Sequence, residues 1–223
     1  MTYQLRLGLS WCRAGNHVIF LDQDSGRYFS LPSTLGEAFE QSLGRFSEPG
    51  AAASPLLGRL MALGVLCAQT SRPSPALRKL QPATSNVSEH IDGRSAWPFA
   101  LQAIWYQLGA ARDLKRRPLR SIVDDAYLSK GLRRTRLIND LTSDAANAIL
   151  SFNSTRIALS AVDNCLVRSL ALFRMLAKFE IFPDLVIGVT ASPFAAHAWV
   201  QIGDIVLNDS LDRVRRFVPI LII

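Results

Sequence analysis

The residues best suited to chemistry lie near the C-terminus, where Cys165 opens an apolar run over residues 166–179. The spacing in this run predicts a helix, and Asp163 and Asn164 just before it are both residues that cap helix N-termini. A thiol in the first helical turn lies at the positive end of the helix dipole. This position stabilises the thiolate and lowers the pKa of the thiol, which makes Cys165 a candidate nucleophile.

Three β-rich runs follow the predicted helix: residues 185–190, 196–202 and, after a turn at 203–204, 205–209. His197 falls on the second run and Asp209 ends the third. The chain therefore presents a nucleophile, a base and an orienting carboxylate in sequence order. Another interpretation stays open, because a lone cysteine is usually a small core residue and aspartates often end strands.

The geometry of the last hairpin decides whether Asp209 can reach His197. Side chains alternate between the faces of a strand, and directly paired residues share a face. A two-residue turn at 203–204 pairs Asp209 with Ala198, on the face opposite His197. A three-residue loop, or one bulge before Asp209, puts both on one face. The sequence predicts one of these irregularities if Asp209 orients the imidazole; otherwise Asp212 or no carboxylate does so.

The composition is that of a folded protein. Of 223 residues, 49% are hydrophobic and 19% charged, which suits one large domain or two small ones. No apolar run approaches the ~18 residues of a membrane span, and the N-terminus lacks a signal peptide's hydrophobic segment, so we expect a soluble cytoplasmic protein. The three cysteines fit neither a disulfide framework nor a zinc site, and no phosphate-binding or dinucleotide-binding motif is present. We expect no metal and no other cofactor.

The net charge of +7 raises the question of whether the protein binds nucleic acid. Basic residues cluster at 112–120 and 130–136. No helix-turn-helix signature, aromatic RNA-binding strand or zinc knuckle accompanies them, so nucleic acid is not an expected partner. A solvated basic face and a surface that steers an acidic partner both remain open.

The first 72 residues predict a small module of three strands followed by helices. The strands are expected at 3–9, 17–21 and 27–31, and the helices at 33–43 and 56–67. A segment at 73–95, within a stretch rich in Ser, Pro, Thr and Asn, predicts an exposed linker.

A second domain is predicted from residue 96 to the end of the chain. Helices are expected at 97–114, 119–128 and 137–159, the last capped by Asp140 or Thr142, ahead of the Cys165 helix and the β-rich runs. The sequence therefore predicts an α+β protein of two domains, residues 1–72 and 96–223, joined by the linker.

Several spaced motifs of the second domain resemble a known family. They are Cys165-Leu-Val-Arg-Ser-Leu-Ala-Leu172, Leu185-Val-Ile-Gly-Val189, Pro193-Phe-Ala-Ala-His-Ala-Trp-Val200, Asn208-Asp209 and Phe217-Val-Pro-Ile220. In this order they resemble the transglutaminase-like (papain-like) cysteine proteases of lasso peptide biosynthesis, often called B proteins. Val167 departs from that pattern, since many relatives carry Pro there. The first 72 residues resemble, in their pattern of elements, the RiPP recognition element, a winged-helix-like peptide-binding module related to PqqD.

The resemblance implies a leader peptidase that cuts the leader from the core of a ribosomally made lasso precursor. It implies that Cys165 attacks the scissile carbonyl, that His197 takes the thiol proton or forms an ion pair with the thiolate, and that Asp209 fixes the imidazole tautomer. It also implies a second partner, a separate ATP-dependent cyclase that closes the macrolactam. A membrane is not an expected partner.

The N-terminal module is expected to hold the leader as an added strand beside its third strand, with apolar pockets from the helix that follows. The residues expected to contact the leader are Arg27, Tyr28, Phe29, Ser30, Leu31, Leu57, Leu60 and Met61. These residues can instead simply form the module's core. Two rival functions also stay open: acyl transfer to an amine, as in transglutaminases and arylamine acetyltransferases, and peptide binding without catalysis.

Overall fold

The computed structural model describes residues 3–42, 55–68, 80–131, 141–157 and 164–223. The chain divides into two compact units, Met1–Arg78 and Lys79–Ile223. Both combine helices with antiparallel strands, so the expected α+β class is confirmed at this level. None of the helices in the described ranges combines the length and apolar character that a membrane span requires.

Within its described residues the first unit holds two small sheets and two helices. Its strands are β1 (Tyr3–Leu5), β2 (Leu9–Ala14), β3 (His17–Asp22), β4 (Arg27–Ser30) and β5 (Leu66–Ala68). The strands β2-β3-β4 form one antiparallel sheet in that order, and β1 pairs with β5. The helices α1 (Ser33–Ser42) and α2 (Pro55–Ala62) pack with the sheet around the fully buried Phe20, Phe39 and Leu60.

Two sequence expectations for this unit are wrong. The strand expected at 3–9 divides into β1 and the start of β2, because the chain turns at Gly8. The helix expected at 56–67 ends at Ala62, because Gly64 at φ 66° turns the chain out of the helix, with Gly64 N–H bonded to Met61 O and Val65 N–H to Leu60 O. The last residues of that run form β5 instead, because β1 offers them an edge to pair with.

The second unit is built on a five-stranded sheet of order β10-β7-β8-β9-β6. The strands are β6 (Ser85–Asn86), β7 (Asp184–Ala191), β8 (Phe194–Ile202), β9 (Ile205–Val206) and β10 (Val218–Ile222). All pair antiparallel except β6, which runs parallel to β9. The sheet carries a buried cluster that includes Val186, Trp199 and Val206.

In the described residues of the second unit there are five α-helices. They are α3 (Trp97–Arg116), α4 (Leu119–Lys130), α5 (Ser143–Ser154), α6 (Cys165–Ala177) and α7 (Leu211–Val214). The helix α6 packs on β7 and β8, and α3 and α5 pack on α6. The expected helices at 97–114 and 119–128 are confirmed as α3 and α4. The helix expected at 137–159 is shorter: Thr142 caps it by accepting a hydrogen bond from Ala145 N–H, and Asp140 lies outside the described residues.

The expected linker at 73–95 is wrong over its second half. Ser85 and Asn86 form the edge strand β6, and Thr84 N–H bonds to Asp204 O across from it. Residues 80–95 therefore belong to the second unit, and residues 73–79 lie outside the described ranges. A two-residue parallel pairing has no sequence period, so composition alone predicted a loop here.

The second basic cluster is not a purely solvated face. Lys130 is buried, and its Nζ donates to the carbonyls of Pro183 and Ile223 and to the carboxylate of Asp184. This lysine ties the end of α4 to the start of β7 and to the C-terminal residue. Residues 132–136 lie outside the described ranges.

Candidate active site

Cys165 is the first residue of α6, at the position expected from the sequence. The first N–H groups of a helix have no acceptor within it, so they turn toward whatever lies at its start. Asn164 is the N-cap residue, but its side chain makes no capping hydrogen bond, which corrects the expected capping role. Asp163 lies outside the described residues. The Cys165 thiol is half-buried, with the Leu166 and Ala198 N–H groups directed at it.

His197 lies in the middle of β8, directly across from the start of α6. Its Nε2 is 2.6 Å from Oδ2 of Asp209, and both side chains are buried, at 3% and 7% exposure. The ring also forms a hydrogen bond with the Cys165 thiol. Because Asp209 occupies Nε2, the nitrogen left for the thiol is Nδ1. The structure thus brings Cys165, His197 and Asp209 together.

The three groups shift one another's protonation. Burial alone raises the pKa of Cys165, but the hydrogen bond and charge of His197, with the two N–H groups, bring it below its ordinary value. Burial alone lowers the pKa of His197, yet its bonds to Asp209 and Cys165 raise it above its ordinary value. Burial raises the pKa of Asp209, and the His197 bond and the Ser210 N–H lower it overall. These directions favour a thiolate–imidazolium pair.

The hairpin turn differs from the expectation. Ile202 pairs with Ile205, so the turn has two residues, with Gly203 at φ 59°, a conformation that glycine adopts without strain. The three-residue loop is therefore wrong. The regular ladder nevertheless ends before Asp209: Leu207 N–H still bonds to Val200 O, after which residues 207–209 bend away.

Asn208 makes this bend possible. Its side-chain Oδ1 accepts the Val200 N–H at 2.8 Å, in place of the backbone acceptor that a regular partner strand supplies. The Leu207 carbonyl turns instead to the Asn153 amide, at 2.8 Å. With the backbone released, Asp209 turns toward His197. An irregularity before Asp209 is therefore present, as the sequence predicted. It is neither the three-residue loop nor the bulge that was expected.

Asn208 also joins the strand to the helix of Cys165. Its Nδ2 donates to Ser169 Oγ, and Ser169 Oγ donates to Ala198 O, both at 2.9 Å. Ser169 lies one turn after Cys165 on α6 and is fully buried. The two residues fix the distance between the cysteine helix and the histidine strand. Neither residue has a role that was predicted from the sequence.

The other side of the His197 ring is held by aromatic residues. The ring centroid lies 6.3 Å from that of Trp199 and 5.0 Å from that of Phe217. Gly188 pairs with His197 across the sheet, and a Cβ there would meet Trp199 at 2.8 Å and Phe217 at 2.9 Å. Because Gly188 has no side chain, the rings of Trp199 and Phe217 can both pack over β7 and contact His197.

A pocket of about 220 Å³, counting the space at its open mouth, lies beside the thiol. Its lining residues are Arg156, Cys165, Arg168, Ala198, Asn208 and Asp209. The two arginines were not expected from the sequence. Arg156 lies 3.6 Å from Oδ1 of Asp209, and Arg168 is one turn after Cys165 on α6.

The other cysteines and histidines lie elsewhere. Cys12 is buried in β2, and burial raises the pKa of its thiol to about 12. Cys67 is half-buried in β5, and His90 accepts or donates a bond with Ser85. Within the described ranges no group of three or more His, Cys, Asp and Glu side chains is placed to hold a metal ion.

The residues expected to bind a leader divide between the edge and the interior of the first unit. Arg27 and Ser30 are exposed on β4, Tyr28 and Phe29 are half-buried, and Met61 is 41% exposed. Leu31 and Leu60 belong to the core at 4% and 0% exposure, which corrects the expectation that they contact a ligand. The side chain of Leu57 lies outside the described residues.

Comparison with known proteins places the second unit in a class. Residues 104–222, more than half of the chain, match the transglutaminase-like superfamily, and the chain belongs to it. The match begins in α3 and therefore includes the helical block before Cys165. Over 47 residues the chain is 47% identical to McjB, the microcin J25-processing protein of Escherichia coli; this stretch is 21% of the present chain and 23% of McjB. No solved structure matches the chain.

Proposed function

We propose that this chain is a cysteine peptidase that removes the leader from a ribosomally made precursor peptide of the lasso class. The observation that carries the proposal is the arrangement of Cys165, His197 and Asp209, with Nε2 of His197 2.6 Å from Asp209 and the thiol hydrogen-bonded to the same ring. The likeness to the microcin J25-processing protein supports a peptide substrate.

The residues support a two-step mechanism. The Cys165 thiolate attacks the scissile carbonyl carbon, and the oxyanion that forms is stabilised by N–H groups at the start of α6, including that of Cys165. The His197 imidazolium then donates its proton to the departing amine of the core, which leaves a thioester on Cys165. Water, deprotonated by His197, hydrolyses the thioester and releases the leader with a free carboxylate. Asp209 holds the ring and stabilises its charged form.

We assign leader recognition to the first unit, as a RiPP recognition element of the PqqD-like, winged-helix type. The strand β4 pairs only with β3 among the described strands. Leu31 N–H bonds to Val18 O, so the backbone groups of Ser30, next along the strand, point away from β3. An extended peptide can add to this edge, where Arg27 and Ser30 are exposed. Tethering the leader there raises the local concentration of the cleavage site.

Ser30→Pro tests this recognition mode, since it removes an outward N–H and leaves the bonds to β3 in place. We expect weaker binding of a leader peptide by the full chain with unchanged folding. A matched control is Arg13→Pro on β2, the other outer strand of the described sheet. Arg13 pairs with Val18, whose carbonyl bonds to Leu31 N–H, so the Arg13 N–H also points away from β3 and its loss should leave leader affinity unchanged. Equal leader affinity for Ser30→Pro and the unmodified chain would rule out strand addition at this edge.

Membership of the superfamily is also consistent with acyl transfer, in which an amine instead of water attacks the same thioester. Mass spectrometry of the full chain with a precursor encoded near its own gene separates the outcomes. A leader ending in a free carboxylate supports the peptidase, and a leader joined to an added amine supports transfer. An unchanged precursor supports a binding protein. The macrolactam itself is assigned to a separate ATP-dependent cyclase as the next partner.

A further inference from the structure

Two guanidinium groups share the pocket beside Cys165. Arg156 and Arg168 both line it. Burial lowers the pKa of Arg168, and the nearby charge of Arg156 lowers it further. Asp209 is the carboxylate that lines the same pocket. The Cys165–His197 pair is neutral overall whether it is a thiol with an imidazole or a thiolate with an imidazolium. The lining residues therefore hold one more permanent positive charge than negative.

The carboxylate of Asp209 is already committed to other donors. Its Oδ2 bonds to His197 at 2.6 Å and its Oδ1 accepts the Ser210 N–H at 2.8 Å. Arg156 is farther away, at 3.6 Å, and its side chain is 42% exposed. Among the described residues, the Arg156 guanidinium forms this ion pair and no hydrogen bond. Because Arg156 lines the pocket and is partly exposed, its donors are accessible to a ligand there.

Arg168 is 3% exposed, which is unusual for a charged side chain. Its Nη1 donates to Gln107 Oε1 at 3.0 Å and to Thr155 Oγ1, and its Nη2 donates to Phe152 O at 3.4 Å. These acceptors are neutral, although Phe152 O lies at the negative end of the α5 dipole. The structure thus places a permanent cation, screened little by water, behind the nucleophile.

We propose that this pocket is a subsite for a carboxylate of the substrate, namely an acidic side chain of the peptide next to the scissile bond. Arg156 supplies the hydrogen bonds, since its fork of donors is exposed and suits a carboxylate. Arg168 supplies a fixed positive potential from the buried side of the pocket. That the carboxylate belongs to a peptide rests on the proposed function, whereas the anion subsite itself does not.

Alkylation of Cys165 tests the subsite without any peptide. Iodoacetate and iodoacetamide both react by attack of the thiolate on the CH₂ carbon, with formation of a C–S bond, cleavage of the C–I bond and release of iodide. They differ in that iodoacetate carries a carboxylate. The ratio of their rate constants therefore reports attraction of a carboxylate at the thiol and is independent of the fraction of thiolate. Cys67→Ser is used throughout, because Cys67 is half-buried and can react as well.

We expect Arg156→Gln to lower the iodoacetate-to-iodoacetamide ratio about three- to tenfold, the size of one charge interaction near a protein surface. Arg156→Lys should keep most of the ratio. Arg116→Gln, an exposed arginine outside the pocket with the same change in net charge, is the matched control and should leave the ratio unchanged. Added salt should reduce the ratio of the unmodified chain toward that of Arg156→Gln.

An unchanged ratio in Arg156→Gln overturns the subsite. An equal loss in Arg116→Gln also overturns it, since the effect then comes from the net charge of the chain. Cleavage of precursors answers a separate question: a ratio that depends on Arg156 in a chain that cuts no peptide keeps the subsite and removes the peptidase. If peptides are cut, exchanging an acidic residue beside the cut for its amide should slow the unmodified chain and not Arg156→Gln.

Discussion

Asp209 reaches the ring of His197, at 2.6 Å, although the two-residue turn between their strands sets a register that assigns them to opposite faces. The side chain of Asn208 resolves this conflict. By accepting the Val200 N–H it ends the backbone ladder before Asp209, without leaving a buried donor unpaired. One amide side chain thus determines which face the next residue occupies.

Asn208→Ala should therefore disturb the site and the fold together. The Val200 N–H and Ser169 Oγ lose their partner, which should lower the free energy of unfolding by about 1–3 kcal/mol. The position of Asp209 relaxes as well, so the rate of Cys165 alkylation at neutral pH should fall. Denaturant unfolding and iodoacetamide kinetics measure the two effects. A destabilised variant with an unchanged alkylation rate would separate Asn208 from the placement of Asp209.

Asp209→Asn should shift the pH dependence of Cys165. The carboxylate raises the pKa of His197, and the imidazolium in turn lowers the pKa of the thiol. Without that charge the pKa of His197 falls, so the imidazolium loses its proton at a lower pH. The pKa of the Cys165 thiol should then rise toward that of an ordinary thiol. The pH profile of iodoacetamide alkylation should move to higher pH, and cleavage should slow about 10²-fold.

Asp204→Asn is the control for this prediction. Asp204 lies in the hairpin turn, and its carboxylate accepts a hydrogen bond from Thr84 at the surface. We expect a pH profile like that of the unmodified chain. A similar shift in both variants would mean that the turn, and not the charge on the imidazole, sets the thiol pKa.

Gly188→Ala should displace the aromatic residues beside His197. The new Cβ lies 2.8 Å from Trp199 and 2.9 Å from Phe217, inside any real contact distance. Overpacking of this kind costs about 1–3 kcal/mol, and we expect lower activity because the ring of His197 loses its support. Gly109→Ala on α3 meets nothing within 4 Å and should stabilise the protein by up to about 1 kcal/mol. Thermal unfolding compares the two, and equal melting temperatures would contradict the account.

The sequence predicted long, regular elements well. The helix α6 and the strands β7 and β8 each span several periods, so apolar spacing placed them and with them Cys165 and His197. Asp209 was predicted from its position at the end of a β-rich run. The alternation of side chains between the two faces of the strands showed that an irregularity was needed for Asp209 to reach His197. The form of that irregularity depends on an asparagine replacing a backbone acceptor, which no residue pattern encodes.

The short elements and the arginines could not be predicted in this way. The strands β6 and β9 have two residues each and exist only through pairing with each other and with β8. Arg168 interrupts the apolar run of α6, as a residue on a solvated helix face would. Its burial follows from the acceptors that α3 and α5 bring to it, which are distant in sequence.

The proposed cleavage of the leader by Cys165 is tested most directly by comparing Cys165→Ala with the unmodified chain. We predict that the variant binds the leader with unchanged affinity and yields no cleaved product by mass spectrometry. Cys12→Ala serves as the control and should cleave within a few-fold of the unmodified rate, because its thiol is buried in the first unit. Cleavage by Cys165→Ala at the rate of the unmodified chain would contradict the account.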